Sequence, residues 1–150
     1  MPKPKLSEAL VGTWERVSGH TRTRTGRDVP SVLGPSIALV MYDGRGNFSA
    51  QFMKRDRNAG DVDPAPASTP APNNSRSIGG YDAYFGQYIV DDESGTVTQT
   101  LVGALSPESV GQVVTRRMSV DGDQLTIRVD TATDDGEPAV MTLTWRRLAP

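Results

Sequence analysis

The chain of 150 residues contains no cysteine, a single histidine and only three lysines, Lys3, Lys5 and Lys54. Without cysteine there are no disulfides, no thiolate metal sites and no thiol nucleophile. One histidine and no thiol leave too few ligands for a transition-metal centre, so no metal is expected. No GxGxxG or Walker pattern occurs, no acidic loop has EF-hand spacing, and Asp91-Asp92-Glu93 reads as a solvated turn. No cofactor is expected either. Sixteen basic against eighteen acidic residues give a net charge of −2, so no global field draws nucleic acid or an anionic membrane. The one basic stretch, Thr21 to Arg27, has no aromatic residues interleaved with it, as a single-strand-binding face would need. The longest apolar run, Ile37 to Tyr42, is far too short to cross a bilayer. The first ten residues lack the apolar core of a secretion signal, so a cytoplasmic location is expected.

What the chain has is punctuation. Asp43-Gly44, Ser94-Gly95, Asp121-Gly122 and Asp135-Gly136 each separate stretches rich in Val, Thr, Ile, Leu or Tyr. Such pairs accept the positive φ angles of tight hairpins. About eight strands follow, at the spacing of an all-β barrel or sandwich within one domain covering residues 1–150. Helix is scarce: one turn over Lys5 to Leu10 capped by Ser7, and another in "IGGYDAY". Residues 56–80 carry four prolines among Ala, Ser, Asn and Asp, with no apolar period. That composition predicts a flexible loop, placed beside the mouth of any cavity.

Gly12-Thr13-Trp14 opens the first strand and Trp145-Arg146-Arg147 ends the last. Between them, in order, lie "YDGRGNFSAQFMKRDR", "YDAYFGQYIVD", "GTVTQTLVGALSP", "VGQ" and "RRMSVDGDQLTI". This set resembles the short bacterial and fungal lipocalin-like domain family, of the calycin type, from Leu10 to Arg147. The resemblance implies a closed up-and-down antiparallel barrel around a cavity for a small, partly apolar molecule. It also implies that Trp14 plugs the base while a basic residue of the last strand packs over its ring, a cation–π contact. The chain departs from the pattern where relatives carry His-His, here Gln99-Thr100, and where they carry Asn-Trp, here Glu108-Ser109.

Side chains alternate along a strand, so every second residue of a small barrel points inward. With Trp14 inward, unbroken alternation sends Arg16, Ser18 and His20 inward too. The family usually has an apolar residue at Arg16; a guanidinium there is costly unless it is paired or holds a ligand's oxygen atoms. His20 offers a proton acceptor near neutral pH. The same rule groups Tyr84, Gly86, Tyr88 and Val90, sets Gln99 with Val97 and Leu101, and puts Arg116 with Met118 and Val120. In residues 47–53 periodicity does not choose between Phe48, Ala50, Phe52 and Ser49, Gln51, Met53. The candidate ligand-binding residues are therefore Arg16, Gln51, Phe52, Tyr84, Tyr88, Gln99 and Arg116.

Three functions fit this reading. One is a barrel binding a small amphipathic or hydrophobic metabolite, which needs only a cavity, apolar walls and a few placed polar groups. Another is a cofactor-independent cyclase or isomerase using the same cavity. There Arg16 or Arg116 would stabilise developing negative charge, and Tyr84 or His20 would move a proton. The last is a structural domain with a filled interior. Oligomeric state leaves no mark on the sequence.

Overall fold

A computed structural model describes residues 3–29, 35–57 and 78–148. A short helix, α1 (Leu6–Ala9), leads into strand β1 (Gly12–Thr23) and the two-residue β2 (Asp28–Val29). Then follow β3 (Ser36–Tyr42), β4 (Asn47–Lys54), β5 (Tyr81–Asp91), β6 (Thr96–Ala104), β7 (Val113–Asp121), β8 (Gln124–Ala132) and β9 (Pro138–Arg147). Each strand from β3 to β9 pairs antiparallel with the next, and β1 pairs with both β3 and β9. The sheet therefore closes on itself as an eight-stranded barrel, with β2 appended to the far end of β1. Closure satisfies the backbone donors and acceptors that an open sheet would leave along its edges.

The turns carry out the Asp-Gly and Ser-Gly expectation with one displacement. Gly95, Gly122 and Gly136 adopt positive φ, but at residues 43–46 the left-handed position is Gly46 rather than Gly44. Asp43 instead caps that turn, accepting from the backbone N–H groups of Arg45 and Asn47 and from the Asn47 amide. The second helical turn expected in "IGGYDAY" is strand. Gly79 and Gly80 take positive φ and release the chain straight into β5. Ser7 does not cap α1; its amide and hydroxyl bind the carboxylate of Asp92 in the β5–β6 turn. That contact ties α1 to one end of the barrel, where Leu6 and Ala9 pack on the core and Leu10 is fully buried. The loop expected at residues 56–80 lies, over residues 58–77, outside the described residues.

Two bulges decide which side chains enter the barrel. Between β1 and β9 the register passes from Arg16↔Trp145 to Ser18↔Thr144, so Val17 is an extra residue on β1. Beyond it the inward set becomes Gly19, Thr21 and Thr23, opposite Leu143, Met141 and Ala139. His20, opposite Thr142, is exposed with Ser18 on the outside. The second bulge lies on β6, where Phe85 faces Gly103 and Gly86 faces Leu101, leaving Val102 unpaired. A side chain on Gly86 would overlap the Thr100 carbonyl oxygen. Glycine is required there because the neighbouring backbone occupies the space of its Cβ.

Candidate functional site

The end of the barrel bearing α1 is sealed. Trp14 is fully buried, and its indole Nε1–H donates to the Leu10 carbonyl at 2.9 Å. The Arg147 guanidinium lies 4.2 Å from the centre of the Trp14 ring and donates to the carbonyls of Val11 and Ala9, at 2.8 and 2.7 Å. Gly12 completes the arrangement: its φ of 144° favours glycine, and the Arg147 guanidinium lies 2.8 Å from where a Cβ would sit. Gly-x-Trp is thus a backbone position and a ring that together cradle one guanidinium. Among the described residues this end of the barrel is closed.

Midway along the barrel the described residues enclose a cavity of about 20 Å³. Its apolar lining includes Val40, Phe52, Ile127, Val129 and Leu143. The Phe52 ring sits 5.9 Å from that of Tyr84 and 6.1 Å from that of Trp145, forming one aromatic wall. The polar lining is Tyr42, Tyr84, Gln99, Arg116 and Trp145. A volume of this size admits about one water molecule, so anything larger enters by moving side chains, Arg116 being the longest and most flexible of them.

Hydrogen bonding in this polar set is incomplete. Gln99 Nε2 donates to the Tyr42 hydroxyl at a long 3.4 Å, and that hydroxyl reaches only the Met118 sulfur, at 3.9 Å. The Tyr84 hydroxyl has no hydrogen bond among the described residues. Arg116 donates only to the carbonyl of its neighbour Thr115, at 3.4 Å, and has no carboxylate partner among the described residues. The indole N–H of Trp145 is buried with no partner among the described residues. Burial lowers the Arg116 pKa, opposed by the Tyr84 and Tyr42 phenols, while burial pushes the Tyr84 phenol up to about 12. Tyr84 therefore stays a protonated donor across the physiological range.

The sequence-derived candidates divide. Phe52, Tyr84, Gln99 and Arg116 line the cavity together. Tyr88 points inward but towards the sealed end, where its hydroxyl donates to the Asp43 carbonyl at 2.5 Å. Arg16 also stays inside, because the bulge follows it; it lies off the cavity and donates to Ser36 Oγ at 2.6 Å. Two placements are corrected. His20 is carried outside by the extra residue Val17, and Gln51 faces solvent because Phe48, Ala50 and Phe52 take the inward positions of β4. Gln51 instead accepts from the Tyr81 hydroxyl at 2.6 Å on the outer face.

Three further interior residues are not among the sequence-derived candidates. Tyr42 gives no periodic signal because both faces of β3 are apolar, Ile37, Leu39 and Met41 against Ala38, Val40 and Tyr42. Trp145 reads in the sequence only as part of the seal. Asp82 shares the parity of Tyr84 and Tyr88 on β5, so extending that strand two residues back is the signal that finds it. It is buried, and burial raises its pKa, opposed by the adjacent Ala83 backbone N–H. Among the described residues no cluster of His, Asp and Glu could hold a metal ion.

A family model described as a lipocalin-like domain matches residues 11–148. The chain belongs to the lipocalin-like domain family. The match spans the barrel from the residue before Gly12 to the one after Arg147, so it includes both halves of the Trp14 seal. A solved structure of bovine odorant binding protein, in complex with a selenium-containing odorant, is similar to this lipocalin-like chain at 17% identity and a TM-score of 0.48. The alignment covers 100% of this chain and 76% of that one. No curated protein sequence matches the chain.

Proposed function

We propose that this lipocalin-like barrel binds a small amphipathic metabolite in its central cavity, apolar body against Phe52, Val129 and Leu143 and polar end among Gln99, Tyr84 and Arg116. One observation carries the reading: among the described residues, the interior holds a guanidinium with no counter-charge and an indole N–H with no acceptor. A barrel whose interior served packing alone would lose stability through the indole, since a buried donor without a partner costs about 1–3 kcal/mol. A ligand that supplies acceptors turns that cost into affinity. The ordinary lipocalin-like arrangement, sealed at one end and approached from the other, suits uptake of a single small molecule. The experiment is titration of the purified protein with the neutral fluorophore N-phenyl-1-naphthylamine, read by probe emission and by quenching of Trp145. Saturable one-to-one binding supports the reading, and absence of binding overturns it.

A second reading, a cofactor-independent isomerase or cyclase in the same cavity, is favoured by Asp82. A buried carboxyl two residues from Tyr84 on the same face of β5, its pKa raised by burial, is the proton carrier this reading would use. Chemical conversion of a bound ligand, lost in Asp82→Asn with binding retained, would select this reading over simple carriage.

A further inference from the structure

The cavity's donors and acceptors are unequal in number, and that imbalance specifies a ligand class. Arg116 brings five N–H donors, of which the Thr115 carbonyl takes one at long range. Trp145 brings one buried donor with no partner, and the Tyr84 hydroxyl another without a hydrogen bond among the described residues. No carboxylate lines the cavity among the described residues. The ion pairs found among the described residues all engage other arginines: Arg22, Arg27, Arg117, Arg146 and Arg147. All five are on the barrel's surface or its sealed end. Asp82, a buried acid near Tyr84, is not among the residues lining the cavity.

A half-buried cation among aromatic and aliphatic side chains, with several idle donors and no negative partner among the described residues, is complementary to an anion. The guanidinium is planar and delocalised, so it matches two oxygen atoms sharing one charge better than a single hydroxyl or carbonyl. We infer that the ligand is a monoanion with an apolar body, its charged oxygen atoms held by the Arg116 guanidinium and the Trp145 indole N–H. Carboxylates and acidic enols both present that chemistry. The cavity holds about one water molecule, so head group and apolar body both enter by displacing side chains of its lining. The inference rests on the cavity being a ligand site, and adds the sign of the ligand's charge.

The test is competition. N-phenyl-1-naphthylamine, which is uncharged, reports occupancy, and decanoate and decanol are added as displacing ligands of equal chain length. Decanoate should displace the probe at least tenfold more effectively than decanol from the natural protein. Arg116→Met should abolish that preference, decanoate then displacing the probe no better than decanol. Trp145→Phe should weaken decanoate several-fold while leaving thermal stability unchanged or raised, a pattern that a purely structural tryptophan would not produce. Equal displacement by decanoate and decanol from the natural protein would overturn the inference, even if Arg116→Met fails to fold. So would a preference that survives in Arg116→Met. A probe that binds normally while decanoate shows no advantage defeats only the charge assignment. A probe that does not bind at all defeats the cavity reading and the inference with it.

Discussion

The Arg147 guanidinium, on the last strand, lies 4.2 Å from the ring centre of Trp14, on the first, and donates to two backbone carbonyls just before that strand. One side chain thereby closes the barrel seam, stacks on the plug and satisfies acceptors at the end of α1. Arg147→Leu removes the cation–π contact and both hydrogen bonds while keeping an apolar cover. A loss of about 2–3 kcal/mol is expected from these terms. Urea denaturation followed by tryptophan emission measures it. A loss below about 0.5 kcal/mol would show that the contact is ornamental.

Gly86 and Gly44 make a matched pair. A methyl group on Gly86 would overlap the Thr100 carbonyl, whereas one on Gly44 meets nothing within 4 Å. Gly86→Ala is expected to cost about 3 kcal/mol or to prevent folding, since backbone must move to relieve the overlap. Gly44→Ala should change stability by no more than about 0.5 kcal/mol. Similar melting temperatures for the two variants would refute the close approach of β5 and β6.

Asp82 sets a pH dependence. Burial raises its pKa above the ordinary value of 3.8, so the folded state holds its proton more tightly than the unfolded chain does. The associated stability is fully present below about pH 3.8 and is lost as pH rises through the folded-state pKa. Asp82→Asn should therefore be more stable than the natural protein at neutral pH, with the difference shrinking on acidification towards that lower limit. Denaturation midpoints of both proteins across this range test the sign. A variant less stable at neutral pH would mean that the ionised carboxylate has a favourable partner.

The two outward candidates give a negative expectation. His20→Ala and Gln51→Ala should leave affinity for N-phenyl-1-naphthylamine within a factor of about two, because neither side chain reaches the cavity and surface changes are usually small. Gln99→Leu, on the inside, should lower affinity for polar ligands several-fold. Binding lost in His20→Ala would place the bulge at Val17 wrongly.

The sequence by itself determined the architecture. Glycine-bearing turns at residues 95, 122 and 136, strands of alternating residues between them, and Gly12-x-Trp14 with Arg147 at opposite ends are local signals, each legible as such. Glycine is needed wherever φ is positive, and side chains alternate along any regular strand, whatever the rest of the chain does. By the same rule Tyr84, Gln99 and Arg116 fall inward on parity alone, and the closed barrel gathers them around one cavity. The choice between Phe52 and Gln51 required the sheet, because β4 is amphipathic on neither face.

What only the tertiary structure decided comes from closure. A barrel shut by β1 and β9 must bend β1, and the bend is taken up by one extra residue, Val17. From that point the alternation reverses, which keeps Arg16 inside and puts His20 outside. No local pattern announces that reversal, since it relieves a constraint imposed by a strand more than a hundred residues away. The lack of a counter-charge for Arg116 and of an acceptor for Trp145 among the described residues is equally invisible in one dimension. Each is a statement about what surrounds a side chain, and only packing eight strands around a common axis creates those surroundings.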